Sequence, residues 1–457
     1  MKRSFYSFVL CCAVIFLITI YTLLLQDRND TTFILLFLWV MLTFFLSKSK
    51  MRSKIDLLFA FFLPIAFTIT RTIWVAHAAS RTVGILTVDA GLFFCATDLV
   101  VVYFIWRIPC FESNVTPSRN ILIAYITLAL ISIIFSYNAT FSFAGILLYC
   151  KCYLIFEWFS RYPNSEKLRR AFISGTEIAL LFQSGVALLQ KITDGPIGLS
   201  FLGENDEALR YRIIDNAIDR GAAGTFEHSS RLAIFVLFVL LYLFFNEKSK
   251  KRKIIFTIIG FITLYQAGSR TAMLILALSL AYYVCRNKSK RIKKRTLFLS
   301  MCIFVIACIG VSYAFKANMF DFIFNSDLLF QVENRLNHWK VAIVYILQKP
   351  LFGYGLNNYS AYMTQFNTTN FYFLNPVHNN YLLNWFEIGI VGTICYIVLL
   401  FYNVFEIKSF KRVSEIKKSS LLFLVCVIIY NFTGWAFAAP TCIYLLFVAL
   451  GLLNRKD

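Results

Sequence analysis

Apolar runs of roughly 15–23 residues recur from one end of the chain to the other, separated by short polar connections and by two long ones. The spacing predicts about fourteen membrane spans: 4–25, 33–47, 55–75, 84–106, 120–137, 142–160, 171–190, 231–246, 254–267, 271–285, 296–315, 382–405, 419–436 and 440–454. No stretch between them is large enough for an ordinary soluble domain. The expectation is an all-α, polytopic single membrane domain over 1–457, with two large loops at 191–230 and 316–381. Inside the second loop, Leu329, Val332, Leu336, Trp339, Ile343 and Ile346 recur at helical spacing up to Pro350. That stripe predicts an amphipathic helix lying on the membrane or capping the bundle. The first span, Ser4 to Leu25, follows Lys2-Arg3 without a small-x-small cleavage site and reads as a retained signal anchor.

The polar connections set the orientation. The formal net charge is +21, which by itself suggests nucleic acid. Most of the 45 basic residues, however, fall in every second connection, in the runs 48–54, 161–170, 248–253, 286–295 and 408–418 and at both termini. Short basic loops stay on the cytoplasmic side, so the charge reflects topology and contact with membrane lipids rather than nucleic acid. Both termini are then cytoplasmic and the two large loops periplasmic. The same argument divides 254–285 into two crossings, since basic runs flank it on both sides. Each is about 15 residues, roughly 22 Å, shorter than a hydrocarbon core of about 30 Å. The tip at Ala267-Gly268-Ser269-Arg270 should therefore be recessed. All 12 cysteines lie in or beside apolar segments, which argues against a disulfide framework or a thiolate metal site.

Chemistry in so apolar a chain should gather in the large loops. Ser269 is a good N-cap, and Arg270 beside a helix N-terminus makes an anion site; the plain alternative is an arginine reaching lipid headgroups. Arg212, Arg220 and Arg231 form a basic rim around Gly221 and Gly224, or else pair with Asp215 and Asp219. Glycine here would let backbone approach a ligand. Arg335 flanks the loop helix and could face a substrate, while His338 reads as a surface residue. His378, directly before the apolar run from Leu382, can take a proton from a hydroxyl group near neutral pH, or simply cap that span. Asn379 and the intramembrane Glu387 join it as candidate substrate contacts. Arg71, Asp98, Lys151, Glu157 and Glu177 also lie in apolar surroundings, with their pairing open. No HExxH, P-loop, DxD or GxSxG motif occurs, so neither a metal nor a nucleotide cofactor is expected.

Several of these stretches together resemble the O-antigen polymerase and ligase superfamily: Arg220-Gly221-Ala222-Ala223-Gly224, Gly268-Ser269-Arg270, Arg335-Leu336-Asn337-His338-Trp339, Pro350-Leu351-Phe352-Gly353-Tyr354-Gly355, and His378-Asn379-Asn380 with Glu387, Gly389 and Gly392. They cover about the second half of the chain. Glu227-His228 departs from the pattern, where an Asn-rich turn is commoner, and leaves Arg220 and Arg231 as competing choices. The resemblance implies a fold like the membrane C-type glycosyltransferases in the bacterial inner membrane. It also implies inverting, metal-independent transfer of a glycan from undecaprenyl diphosphate at the periplasmic face. Arg270 and Arg220 would hold the diphosphate, Arg335 would support the leaving group or the loop, and His378 would orient or deprotonate the acceptor hydroxyl. The acceptor is another lipid-linked glycan for a polymerase, with a possible chain-length regulator, or lipid A-core for a ligase. The span count favours the polymerase. A flippase for the same lipid-linked glycan is a third reading, disfavoured by the gathering of polar motifs on one side.

Overall fold

The computed structural model describes residues 29–83, 86–112, 114–162, 165–204, 211–214, 217–286, 327–366, 375–407 and 413–455. The first expected span and the span at 296–315 lie outside them. The described residues are mostly helical, and five helices are long and apolar enough to cross a membrane: residues 117–135, Ala139–Arg161, Glu166–Thr193, Ser229–Asn246 and Asn380–Glu406. The chain is a multi-pass membrane protein.

The elements follow local chemistry. Helix α1 (Asn29–Lys48) and α2 (Arg52–Ala66) open the described chain. The span expected at 55–75 stops at Ala66 because the Thr-rich segment after it bonds elsewhere. The backbone N–H groups of Thr70 and Arg71 donate to the Leu202 carbonyl, and Thr70 Oγ1 donates to the Thr225 carbonyl at 2.6 Å. The span expected at 84–106 is also corrected. Strands β1 (Ile73–Val83) and β2 (Leu86–Phe94) pair antiparallel, from Ile73 opposite Phe94 to Val83 opposite Leu86, and only Ala96–Arg107 forms a helix, α3. Thr82, Val83, Thr87 and Val88 suit a pleated ribbon, and apolar content alone does not separate strand from span.

Next come α4 (Pro117–Ser132), α5 (Ala139–Arg161), α6 (Glu166–Thr193), the hairpin β3 (Tyr211–Ile214) with β4 (Ala217–Arg220), and α7 (Ser229–Asn246). Residues 254–285 fall in two helices, α8 (Lys250–Gln266) and α9 (Arg270–Arg286). Gly268 turns between them at φ 64°. The second large loop holds α10 (Asp327–Ile346) and α11 (Tyr359–Met363), and the chain ends with α12 (Asn380–Glu406), α13 (Glu415–Tyr430) and α14 (Pro440–Leu453). The span expected at 419–436 is shortened, since α13 ends at Tyr430.

Helices α7 and α14 form the centre. Nearly every side chain of α14 is buried, and it packs on α5, while α7 packs on α8 and α13. At the periphery α4 exposes Ile123, Leu130 and Ile131, as a lipid-facing helix should. Among the described residues, Asp56, Asp98, Glu157 and Glu177 inside apolar segments are each paired with a base. Asp56 receives both Arg107 (2.8 Å) and Tyr103 (2.7 Å), Lys151 meets Asp98 at 2.8 Å, Glu157 holds Arg119 at 2.8 Å and Arg161, and Glu177 holds Arg252. Of the pairings the sequence leaves open, that of Lys151 is with Asp98.

Helix α12 is broken where it supports the second loop. Gly389 takes φ 73° and ψ 179°, outside any helix. The break frees carbonyls of the preceding turn. Phe386 O accepts from Tyr354 N at 2.9 Å and Glu387 O from Gly355 N at 2.7 Å, while Ile390 N donates to Pro350 O at 2.9 Å. In a membrane a broken helix needs such replacement partners. The Pro350–Gly355 segment supplies them.

Candidate functional site

Five segments meet around one cavity of about 180 Å³. His228 caps α7, its Nδ1 accepting from Ser230 N at 3.1 Å, and Arg231 follows in the first turn. Gly268, Ser269 and Thr271 come from the turn between α8 and α9, where Ser269 Oγ accepts from Ala272 N at 3.3 Å. Helix α10 contributes Arg335, and His378 stands at the start of α12. The segment after α13 contributes Thr433 and Trp435 beside Tyr430.

The backbone of His378 is fixed on both sides. Its carbonyl accepts from Trp339 Nε1 at 3.2 Å. The next residue, Asn379, caps α12, its Oδ1 accepting from Tyr381 N (3.0 Å) and Leu382 N (3.1 Å). Asn380 N donates to the Asn431 carbonyl at 2.8 Å, tying the start of α12 to the end of α13. Behind the imidazole lies His338, fully buried, with ring centroids 5.9 Å apart. Burial, and then the charges of Arg335, His338 and His228, push the His378 pKa from 6.5 down to about 3. The free imidazole is therefore neutral at neutral pH, and the same burial and cations weaken it as a proton acceptor until negative charge enters the cavity. Arg231 is paired with Glu227, and its guanidinium lies 5.4 Å from the Trp435 ring centre.

Of the residues singled out from sequence, His378, Arg335 and Arg231 line this cavity together. Arg270 stands between the lining residues Ser269 and Thr271. Arg212 and Arg220 lie on the hairpin β3–β4, with Arg212 opposite Asp219 and Arg220 opposite Tyr211. The glycine loop after Arg220 reaches the same turn from outside, since Ala222 N donates to the Gln266 carbonyl at 2.9 Å. Three further N–H groups of the loop are used within the fold. Gln190 Oε1 accepts from Ala223 N and Gly224 N, and Gln183 Oε1 from Thr225 N. Gly224 lets the loop approach Gln183 of α6, and Gly221 lets it approach the Ala267 carbonyl and Ser229 at the edge of the cavity. Glu387 is not among the cavity-lining residues; buried, it accepts from Tyr359 N at 3.4 Å and so braces the second loop. Asn379 likewise acts on the start of α12.

Two features were missed in the sequence. His338 is buried rather than at the surface, because α10 turns His338, Ala342 and Ile346 inward and leaves Leu336 and Ile343 exposed. Tyr430, Thr433 and Trp435 were read as the end of a span. The signal available for them was the Asn431-Phe432-Thr433-Gly434 interruption of the apolar run.

Residues 255–397 match the family model described as O-antigen ligase. The matched stretch contains the turn at 268–271, Arg335, His378 and the broken helix at Gly389. No curated protein matches the chain. Over these residues the chain is similar to that family, which supports its resemblance to the O-antigen polymerase and ligase superfamily.

Proposed function

We propose that the protein transfers a glycan from undecaprenyl diphosphate to an acceptor hydroxyl, with inversion and without a metal, at the periplasmic face of the inner membrane. The observation that carries this reading is the cavity in which His378 stands with Arg335, Arg231 and the helix start at Ser269–Thr271. His378 accepts the proton of the attacking hydroxyl as its oxygen forms the new bond to the anomeric carbon. The bond to the diphosphate breaks with its electron pair going to the phosphate oxygen. Fixed cations and helix N–H groups beside that oxygen stabilise the charge that develops there, usually the largest single catalytic effect. Arg335 and Arg231 supply the cations, with Arg270 and Arg220 on the neighbouring segments as further diphosphate ligands.

The acceptor divides two readings. A repeat-unit polymerase is the reading the expected span count favours; the two helices of 254–285 agree with that count and the hairpin at 73–94 lowers it. A ligase acting on lipid A-core is favoured by the description of the matched family model. Complementation of a strain lacking the protein separates them on a gel of surface glycan. Single repeat units on the lipid core in the null strain assign a polymerase. Bare core, with polymer held on the carrier lipid, assigns a ligase. A null strain with full wild-type display overturns both.

A further inference from the structure

A second cavity, of about 290 Å³, lies at the opposite ends of α7 and α8 from the first. The first is lined by residues 229–231 and 268–271, the second by Asn246, Glu247, Lys248, Ser249 and Arg252 together with the first turns of α6. Helix α7 has 18 residues, so the two cavities are separated by about 27 Å, close to the thickness of a hydrocarbon core.

The second cavity is cationic. Arg169, Arg170, Lys248 and Arg252 line it. Glu166 alone serves three of them, Arg169 at 2.7 Å, Arg170 at 3.0 Å and Lys248 at 2.8 Å. Arg252 is held by the buried Glu177. The Glu247 carboxylate accepts from Ser249 N at 2.7 Å, facing its own turn. Lys167, Lys250 and Lys251 stand exposed around the rim. Cations therefore outnumber carboxylates, and Arg170 and Lys248 keep 71% and 69% of their side chains exposed. The apolar surface below indicates where the ligand comes from. Ile254, Ile255 and Ile258 are exposed within two turns of Arg252, and Ile178 and Leu181 within two turns of Ser174. A headgroup in the cavity would leave its acyl chains against these side chains.

We propose that this cavity binds the phosphate of an anionic phospholipid headgroup. Basic pockets between membrane helices suit such a group, and each Lys or Arg near an anionic surface contributes about 1 kcal/mol, or about fivefold in affinity. The proposal does not depend on the reaction at the other cavity.

The test is native mass spectrometry of the full chain in detergent, titrated with phosphatidylglycerol, phosphatidylcholine or inorganic phosphate. Wild type retains phosphatidylglycerol and not phosphatidylcholine. The double variant Arg170→Gln/Lys248→Gln binds phosphatidylglycerol about 30-fold more weakly, with an unchanged thermal midpoint because both side chains are exposed. The charge-keeping pair Arg170→Lys/Lys248→Arg retains binding. Retention that inorganic phosphate does not displace assigns the lipid. Inorganic phosphate that binds alone, displaces the lipid and is lost in the Gln variant assigns the same phosphate site to a soluble anion. Equal retention of both lipids, or equal phosphatidylglycerol binding by wild type and the Gln variant, overturns the proposal.

Discussion

Replacing Gly389 by alanine should unseat the loop that carries the candidate site. At φ 73° and ψ 179° this residue occupies a region open almost only to glycine, and a side chain there costs about 1–3 kcal/mol. An added Cβ would also collide with the Leu351 carbonyl, forcing apart the two segments that exchange three backbone hydrogen bonds through Phe386, Glu387 and Ile390. At about 1 kcal/mol each, their loss brings the total to about 4–6 kcal/mol. That is a large fraction of a typical stability of about 5–15 kcal/mol. Gly392, three residues on, is the control. The three atoms nearest a Cβ there all belong to the buried Ile388 side chain and none to backbone, and the site has helical φ and ψ, so its cost should stay well below that of Gly389→Ala. The assay is thermal unfolding of the purified protein in detergent, followed by tryptophan fluorescence. Hydrogen exchange at Tyr354 and Gly355 reports the loop directly. Gly389→Ala should melt far below wild type and expose those amides, and Gly392→Ala should do neither. Equal shifts for the two variants, or a wild-type Gly389→Ala, would refute the reasoning.

Three further outcomes follow from the site. Trp339→Phe keeps an aromatic ring but removes the donor to the His378 carbonyl; at about 1 kcal/mol it should lower kcat about fivefold with little change in KM, and an unchanged kcat would dissociate that bond from catalysis. Asn379→Ala removes the cap of α12 and should destabilise by about 1 kcal/mol in the same melting assay, whereas no shift would mean another group replaces it. The depressed His378 pKa predicts a kcat/KM profile flat from about pH 5 to 8, since the free imidazole stays neutral, while a bound diphosphate beside Arg335 should shift the acid limb of kcat upward. Below 6.5 the unfolded chain gains a proton at His378 that the folded chain does not, so this group's effect on stability turns unfavourable as pH falls toward about 3. A kcat/KM limb near 6.5 would contradict the neutral imidazole.

The sequence gives the membrane character and the place of His378 because each rests on a sharp contrast. A long polar loop ends abruptly at an apolar run, and an imidazole at that border is conspicuous. The division of 254–285 was legible from the basic runs flanking it, which constrain the number of crossings. The register of α10 was not legible. In water an apolar stripe marks the buried face, but lipid is as apolar as leucine, so Leu336 and Ile343 face outward while His338 and Ala342 face in. The two faces are offset by about one residue, close to 100° of helix rotation. Trp435 was hidden for a related reason, since aromatic residues serve equally as span and as cavity wall. The hairpin at 73–94 shows the same limit, because β-branched apolar residues suit both a strand and a span.

The central claim is that one cavity holds the base and the diphosphate cations of a glycosyl transfer. The direct measurement is turnover of a polyprenyl-diphosphate glycan by the purified full chain, with wild type, His378→Ala and Arg335→Ala compared for product formation and donor binding. Proton transfer by a positioned base is worth about 10²–10⁴-fold. The account predicts that His378→Ala loses at least about 100-fold in kcat while still binding donor, and that Arg335→Ala weakens both. A His378→Ala protein that turns over at the wild-type rate would contradict it.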